Sequence, residues 1–277
     1  MTVRCEGWSF LPFISPDAKK LYYLVRSGGL RNWIAGALWV ADLESGQRQR
    51  LLPDFLMQGY SISRDGRRVV FSAVDETGHT PVWLASLDGR TTPRRLTNMD
   101  GGRPFFGAPG EVVFDSEEKD VFIYRIKEDG SGLQKLLPTP MLIAFGVSPD
   151  GQWIPAQTPN QFGDSTVYRA GSTSPIRICG DCSQPQGTEY ITPPLSWTPD
   201  GKFIYLNFAG TTYAIPLKPG QMLPPIPASG FPSKEAVAAL PGARLVSDQT
   251  VYLGPNPSIY AFTKVTTQRN IYRVPVP

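Results

Sequence analysis

The chain has 277 residues, 41% of them hydrophobic, enough to bury a full core, and its 28 prolines and 27 glycines are spread along its length instead of massed in one tract. That distribution suits many short strands and argues against long helices. A formal charge of +3, with basic and acidic residues interspersed, does not indicate nucleic-acid binding.

In chain order, an inner strand over Phe10 to Ile14 runs into the turn Ser15-Pro16-Asp17-Ala18, and the same kind of turn returns as Ser63-Arg64-Asp65-Gly66, Ser148-Pro149-Asp150-Gly151 and Thr198-Pro199-Asp200-Gly201. Degenerate versions stand at Gly107-Ala108-Pro109-Gly110 and Val246-Ser247-Asp248-Gln249. Proline presets the backbone at the second turn position, aspartate bonds its own backbone, and glycine takes the positive φ that closes the turn. Asp17, Asp65, Asp150, Gly151, Asp200 and Gly201 are therefore read as structural turn residues. The turns recur at intervals of 41 to 50 residues, so six units fill the chain.

After each turn comes an apolar strand, such as Val69-Val70-Phe71, Val112-Val113-Phe114 or Phe203-Ile204-Tyr205-Leu206. A strand built on an aromatic follows, as in Leu38-Trp39-Val40-Ala41, Val82-Trp83-Leu84-Ala85 and Phe122-Ile123-Tyr124-Arg125, and then a basic outer strand, at Arg95-Leu96-Thr97 and Gln134-Lys135-Leu136-Leu137. Four short antiparallel strands per unit predict an all-β, six-bladed β-propeller occupying residues 1–277 as one domain. The expected blades are 7–54, 55–97, 98–138, 139–186, 187–240 and 241–277, the last completed by residues 1–6, with Thr2 to Cys5 pairing with Tyr272 to Val276 to close the ring. An all-β sandwich shares the short strands, but it does not require one turn sequence followed by one aromatic strand at a constant interval.

These repeats resemble the TolB-type propeller repeat, also called the WD40-like or PD40 repeat, most closely at residues 148–151 and 198–201. The stretch from Trp197-Thr198-Pro199-Asp200-Gly201-Lys202 through Pro255-Asn256-Pro257 to Gln268-Arg269-Asn270-Ile271-Tyr272-Arg273 resembles the propellers that follow a protein kinase domain in acidobacteria. The resemblance implies a sensor or interaction module, linked in longer relatives to a kinase. No His-Arg-Asp loop, Asp-Phe-Gly or strand lysine of a kinase stands in this sequence.

Chemistry-bearing motifs are sparse. The single histidine, His79, falls in a loop, and Gly163-Asp164-Ser165-Thr166-Val167 lacks the last glycine of a nucleophile elbow. Glu117-Glu118-Lys119-Asp120 reads as a solvated loop instead of a calcium site, so no catalytic or metal-binding residue and no cofactor is expected. Cys179-Gly180-Asp181-Cys182 lacks the further ligands of a zinc site; it is either a small disulfide clip, which would place the chain in an oxidising compartment, or two incidental thiols.

A signal peptide is not expected from MTVRCEGWSF, and the most apolar window, Trp33 to Leu43, is too short to span a bilayer. Membrane insertion and nucleic acid are not expected; an origin in a membrane-anchored kinase would make the domain extracytoplasmic. Propellers bind with the ring face and channel, and the long loops on one face gather arginine and aromatics, types enriched at binding hot spots. The candidate contact set is Arg31, Trp33, Gln58, Arg103, Gln161, Glu189 and Tyr190. The expectation is a non-enzymatic module recognising a peptide, protein or small ligand. The alternatives are an enzyme of the six-bladed lactonase or lyase type and a non-functional fragment of a kinase-linked propeller.

Overall fold

A computed structural model describes residues 8–26, 35–117, 119–159, 164–180, 182, 193–249 and 251–262. Five four-stranded antiparallel sheets follow one another along the chain. Blade one contains β1 (Trp8–Ile14), β2 (Lys20–Arg26), β3 (Ala37–Asp42) and β4 (Arg48–Leu51). Blade two contains β5 (Met57–Ile62), β6 (Arg68–Ala73), β7 (Val82–Ser86) and β8 (Arg94–Arg95). Blade three contains β9 (Phe105–Phe106), β10 (Glu111–Glu117), β11 (Val121–Lys127) and β12 (Gln134–Lys135). Blade four contains β13 (Ile143–Ala144), β14 (Trp153–Gln157), β15 (Ser165–Arg169) and β16 (Pro175–Cys179), and blade five contains β17 (Leu195–Trp197), β18 (Phe203–Phe208), β19 (Thr211–Pro216) and β20 (Arg244–Ser247). Each sheet is a meander in sequence order, the arrangement of a propeller blade.

The core lies between blades, and strand periodicity explains how. In β6, Val69 and Phe71 join a cluster with Tyr22, Leu24 and Leu38 of blade one, whereas Val70 joins Val112 and Phe114 of blade three. In β10, Val112 and Phe114 face blade two, and Val113 packs with Ala144 and Ile154 of blade four. Successive side chains point to opposite sheet faces, so one apolar run serves two seams. Burying a side chain the size of Phe71 or Phe114 contributes about 1.5–3 kcal/mol, and a lone sheet would forgo that on both faces.

The expectation of six four-stranded blades is overturned: the structure shows five among the described residues. Beyond blade five, β21 (Tyr252–Leu253) and β22 (Tyr260–Ala261) form a two-stranded ribbon among the described residues. The ribbon contacts β1 of blade one, and the Tyr205 hydroxyl of blade five donates to Gly254 O at 3.4 Å, which places it between the last blade and the first. No closing N-terminal strand is found; the segments expected to form it, Thr2 to Cys5 and Tyr272 to Val276, lie outside the described residues.

The error arises at Val246-Ser247-Asp248-Gln249. That segment is not a sixth inner turn, because Ser247 ends β20 and pairs with Thr212 as the outer strand of blade five. The connection from β19 to β20 is extended by an insertion with a short helix, α1 (Lys234–Ala238), capped by Ser233, whose hydroxyl accepts the Ala236 N–H at 3.4 Å. Phe231 and Val237 of the insertion pack with Ile178, Cys179 and Cys182 of blade four. Cys179 and Cys182 are joined as a disulfide and are both buried there.

Candidate functional site

The repeated turn is a self-satisfied knot. In blade one the Ser15 hydroxyl donates to Asp17 Oδ1 (2.6 Å) and accepts the Lys20 N–H (2.8 Å), while Asp17 Oδ1 accepts the Lys19 N–H (3.1 Å). Blade two repeats it with Ser63, Asp65, Arg67 and Arg68, blade four with Ser148, Asp150, Gln152 and Trp153, and blade five with Thr198, Asp200, Lys202 and Phe203. The serine or threonine bonds hold the carboxyls of Asp17 and Asp65 below the usual range; Asp200 is also lowered, its threonine and backbone bonds outweighing desolvation. The fourth turn position takes a left-handed conformation, at Gly66 (φ 69°), Gly151 (φ 74°) and Gly201 (φ 69°), and Ala18 holds it at φ 59°.

These turns also pack on one another around one end of the ring. A side chain on Gly151 would sit 2.8 Å from Ala108 of blade three, and one on Gly201 would sit 3.6 Å from Pro149 of blade four. Arg64, which replaces proline in the second turn, reaches past blade three to donate from Nη2 to Pro149 O at 2.6 Å. The four turn aspartates are thus committed to backbone and hydroxyl partners.

The cavity on the ring axis is the candidate site. Its lining draws on β1, β5, β9, β17 and β21, on Phe145, Gly146 and Val147, which directly follow β13, and on Tyr205, Asn207 and Thr212 of β18 and β19; only the central channel touches the inner edge of every blade. Its volume is about 290 Å³. Aromatic rings dominate it: Phe13, Phe105, Phe106, Phe145, Trp197, Tyr205 and Tyr252, with Ser61, Ser196, Asn207 and Thr212 as neutral polar groups. Among the described residues no lining side chain is charged, and none is a histidine or cysteine.

Local backbone features shape this wall. A register shift in β1 between Phe10 and Phe13 leaves Leu11 at φ 49°, in the left-handed region, and Tyr60 donates its hydroxyl to Leu11 O at 2.7 Å. Burial raises the Tyr60 phenol well above its ordinary pKa, and burial likewise raises Tyr205, so both stay neutral donors. Trp197 is fixed by its indole N–H, which donates to Met222 O of the insertion at 2.7 Å.

Of the seven contact residues expected from sequence, Arg31, Trp33, Gln161, Glu189 and Tyr190 lie outside the described residues. Gln58 is half-buried at the register shift of β5, and Arg103 is exposed in the connection entering β9. The structure brings their neighbourhoods together, since a Cβ on Gly59 would stand 3.4 Å from Arg103 Cα. Loop 98–105 is tied to loop 75–80 by Asp100, which accepts the Thr80 N–H (2.6 Å) and meets His79 Nδ1 (3.2 Å). Gly102 is required there, because any side chain would collide with the Asp115 carboxylate, whose Oδ1 accepts the Arg103 N–H at 3.0 Å. Among the described residues no three His, Cys, Asp or Glu side chains gather to hold a metal ion.

No protein-family model matches the chain. Among solved structures it is similar to a protein of Agrobacterium tumefaciens assigned as TolB, with a TM-score of 0.55 and 18% identity over 78% of this chain and 73% of that one. It is similar to TolB from Acinetobacter baumannii at 0.52 and 20% identity, over 75% of this chain but only 51% of that one. The fold is a TolB-like β-propeller. An oligogalacturonate lyase in complex with manganese is similar to the same degree, at a TM-score of 0.53 and 20% identity over 78% of this chain and 67% of that one. Propellers of this shape therefore include proteins named TolB and an oligogalacturonate lyase, and the fold alone assigns no activity. The contact set expected from sequence left out the channel aromatics because their apolar strands offer no metal ligand or acid-base pair. Their signal was the alternation of ring and small residue in Tyr60-Ser61, Phe145-Gly146 and Ser196-Trp197.

Proposed function

We propose that this chain is a non-enzymatic binding module that takes its ligand, a peptide, a segment of a protein or a small molecule, through the central channel and the loop face around it. The observation that supports this reading is the channel wall: aromatic rings on the inner edges of the blades surround about 290 Å³, with no carboxylate, histidine or cysteine among the described lining residues. Such a wall supplies contact area and stacking, the currency of recognition, and its serine and threonine hydroxyls have no histidine or carboxylate among the described lining residues to activate them. The resemblance of residues 197–202, 255–257 and 268–273 to kinase-linked propellers supports a sensor role, in longer relatives coupled to a kinase.

The test is a thermal-shift screen of peptides and small metabolites against the full chain and the channel-filling variant Ser196→Trp. Ligands that raise the melting temperature of the wild type are expected to leave Ser196→Trp unmoved while its own unliganded melt and far-UV spectrum stay native. Hits that stabilise both proteins equally would place binding away from the channel. Metal-dependent turnover of a lactone or an oligogalacturonide would favour the enzymatic alternative.

A further inference from the structure

The channel wall and its rim differ in charge. Described lining residues are neutral, whereas Arg103, itself outside the lining, is two residues before cavity-lining Phe105 and packs against Gly59, the neighbour of cavity-lining Tyr60, a placement from which we take it as the rim on the loop face. The Arg103 backbone N–H is committed to Asp115, but its guanidinium makes no hydrogen bond or ion pair among the described residues. Protein atoms crowd this guanidinium, and that desolvation lowers its pKa from the ordinary arginine value, with the Asp115 charge opposing. Solvent still reaches it, so a ligand can replace its water. An arginine remains charged at neutral pH, and a crowded setting strengthens what it offers an anion.

Resting on the channel-binding reading above, we infer that the ligand combines a planar apolar body with a carboxylate, the body stacking among Phe13, Phe145, Trp197 and Tyr252 and the carboxylate meeting Arg103 at the rim. A free aryl acid and an aromatic residue at a peptide C-terminus share this chemistry. The competing occupant of an aromatic box is a quaternary ammonium, which would gain from the ring faces. It would find no carboxylate on the described wall and would meet a like charge at the rim.

Isothermal titration calorimetry on the full chain separates these cases with five probes: indole-3-acetate, indole-3-acetamide, N-acetyl-Gly-Trp as the free acid, the same dipeptide as its amide, and phenyltrimethylammonium. At least one acid is expected to bind about tenfold tighter than its amide, the worth of a charge-assisted bidentate contact. Arg103→Ala should bring acid and amide within about twofold of each other, and Arg103→Lys should restore part of the difference. Which acid wins identifies the source of the carboxylate. Equal binding of acids and amides, tightest binding of the ammonium probe, or no binding by any of the five would overturn the inference. If acids and amides bind alike and Ser196→Trp abolishes both, the channel reading survives and only the carboxylate preference falls. If acid binding persists in Ser196→Trp, the channel reading itself falls.

Discussion

The third and sixth sequence units both depart from the repeated turn, Gly107-Ala108-Pro109-Gly110 lacking its serine and aspartate and Val246-Ser247-Asp248-Gln249 lacking its first-position hydroxyl and its glycine, yet among the described residues one folds as a full blade and the other does not. In blade three the turn keeps its left-handed glycine, Gly110 at φ 82°, and Glu111 N–H donates to Ala108 O at 2.9 Å. Behind it, β10 and β11 pair over seven residues, from Glu111 with Lys127 to Glu117 with Val121. Val112, Val113, Phe114, Ile123 and Ile126 on that ladder are all buried against two neighbours. The sixth unit offers Gln249 where glycine is needed, its Ser247 is taken by blade five, and what remains pairs at Tyr252 with Ala261 and Leu253 with Tyr260. A blade needs a left-handed residue to reverse the chain and a long apolar strand behind it; the hydroxyl-carboxylate knot reinforces the turn but does not define the blade.

Phe114→Ala removes a fully buried ring from blade three and should cost about 3–5 kcal/mol in a denaturant melt, far more than Leu253→Ala in the ribbon, where the side chain is only half-buried. Equal losses at the two sites would mean that the ribbon carries as much of the ring's cohesion as a blade.

Gly151→Ala combines a left-handed backbone with a collision against Ala108 of the neighbouring turn, and should cost about 2–4 kcal/mol. A loss under about 1 kcal/mol would show that the turns do not pack as a ring.

Acid should act on the knots next. The folded pKa values of Asp17, Asp65 and Asp200 are lowered, so their stabilisation is fully present above the unfolded carboxylate value near 4 and is lost as pH falls through the folded values. Burial raises Asp115 instead, so its contribution has the opposite sign and declines as pH rises through its folded value. Thermal melts from pH 7 to 2.5 should show a loss below pH about 4 that shrinks in the triple variant Asp17→Asn/Asp65→Asn/Asp200→Asn. An unchanged acid limb would remove these turns from the account.

The smallest effect is expected from Gln249→Gly, which restores the glycine of the sixth turn. Because Ser247 is already paired with Thr212, stability should change by less than about 0.5 kcal/mol. A clear gain would mean that the ribbon fails for want of a turn alone.

The same physics explains what the sequence disclosed. Five blades were legible because their apolar strands alternate between two seams, a period-two signal visible in Val69-Val70-Phe71 and Val112-Val113-Phe114. The boundary after residue 240 was misplaced because the insertion around α1 delays β20, and spacing alone assigned its residues to a further unit. The site was legible only in part. Exposed arginine and aromatics on long loops drew the reading to the loop face, where Arg103 packs against Gly59 without lining the cavity. Phe13, Phe145 and Trp197 stayed outside the expected contact set, because an inner strand facing an axis and one facing a neighbouring sheet are equally apolar in sequence.

The most direct test of the channel as the binding locus is a crystal structure of the full chain soaked with indole-3-acetate. The indole is expected between Trp197, Tyr252 and Phe145 on the ring axis, with the carboxylate toward Arg103. An empty channel with the ligand seated elsewhere on the ring would contradict it.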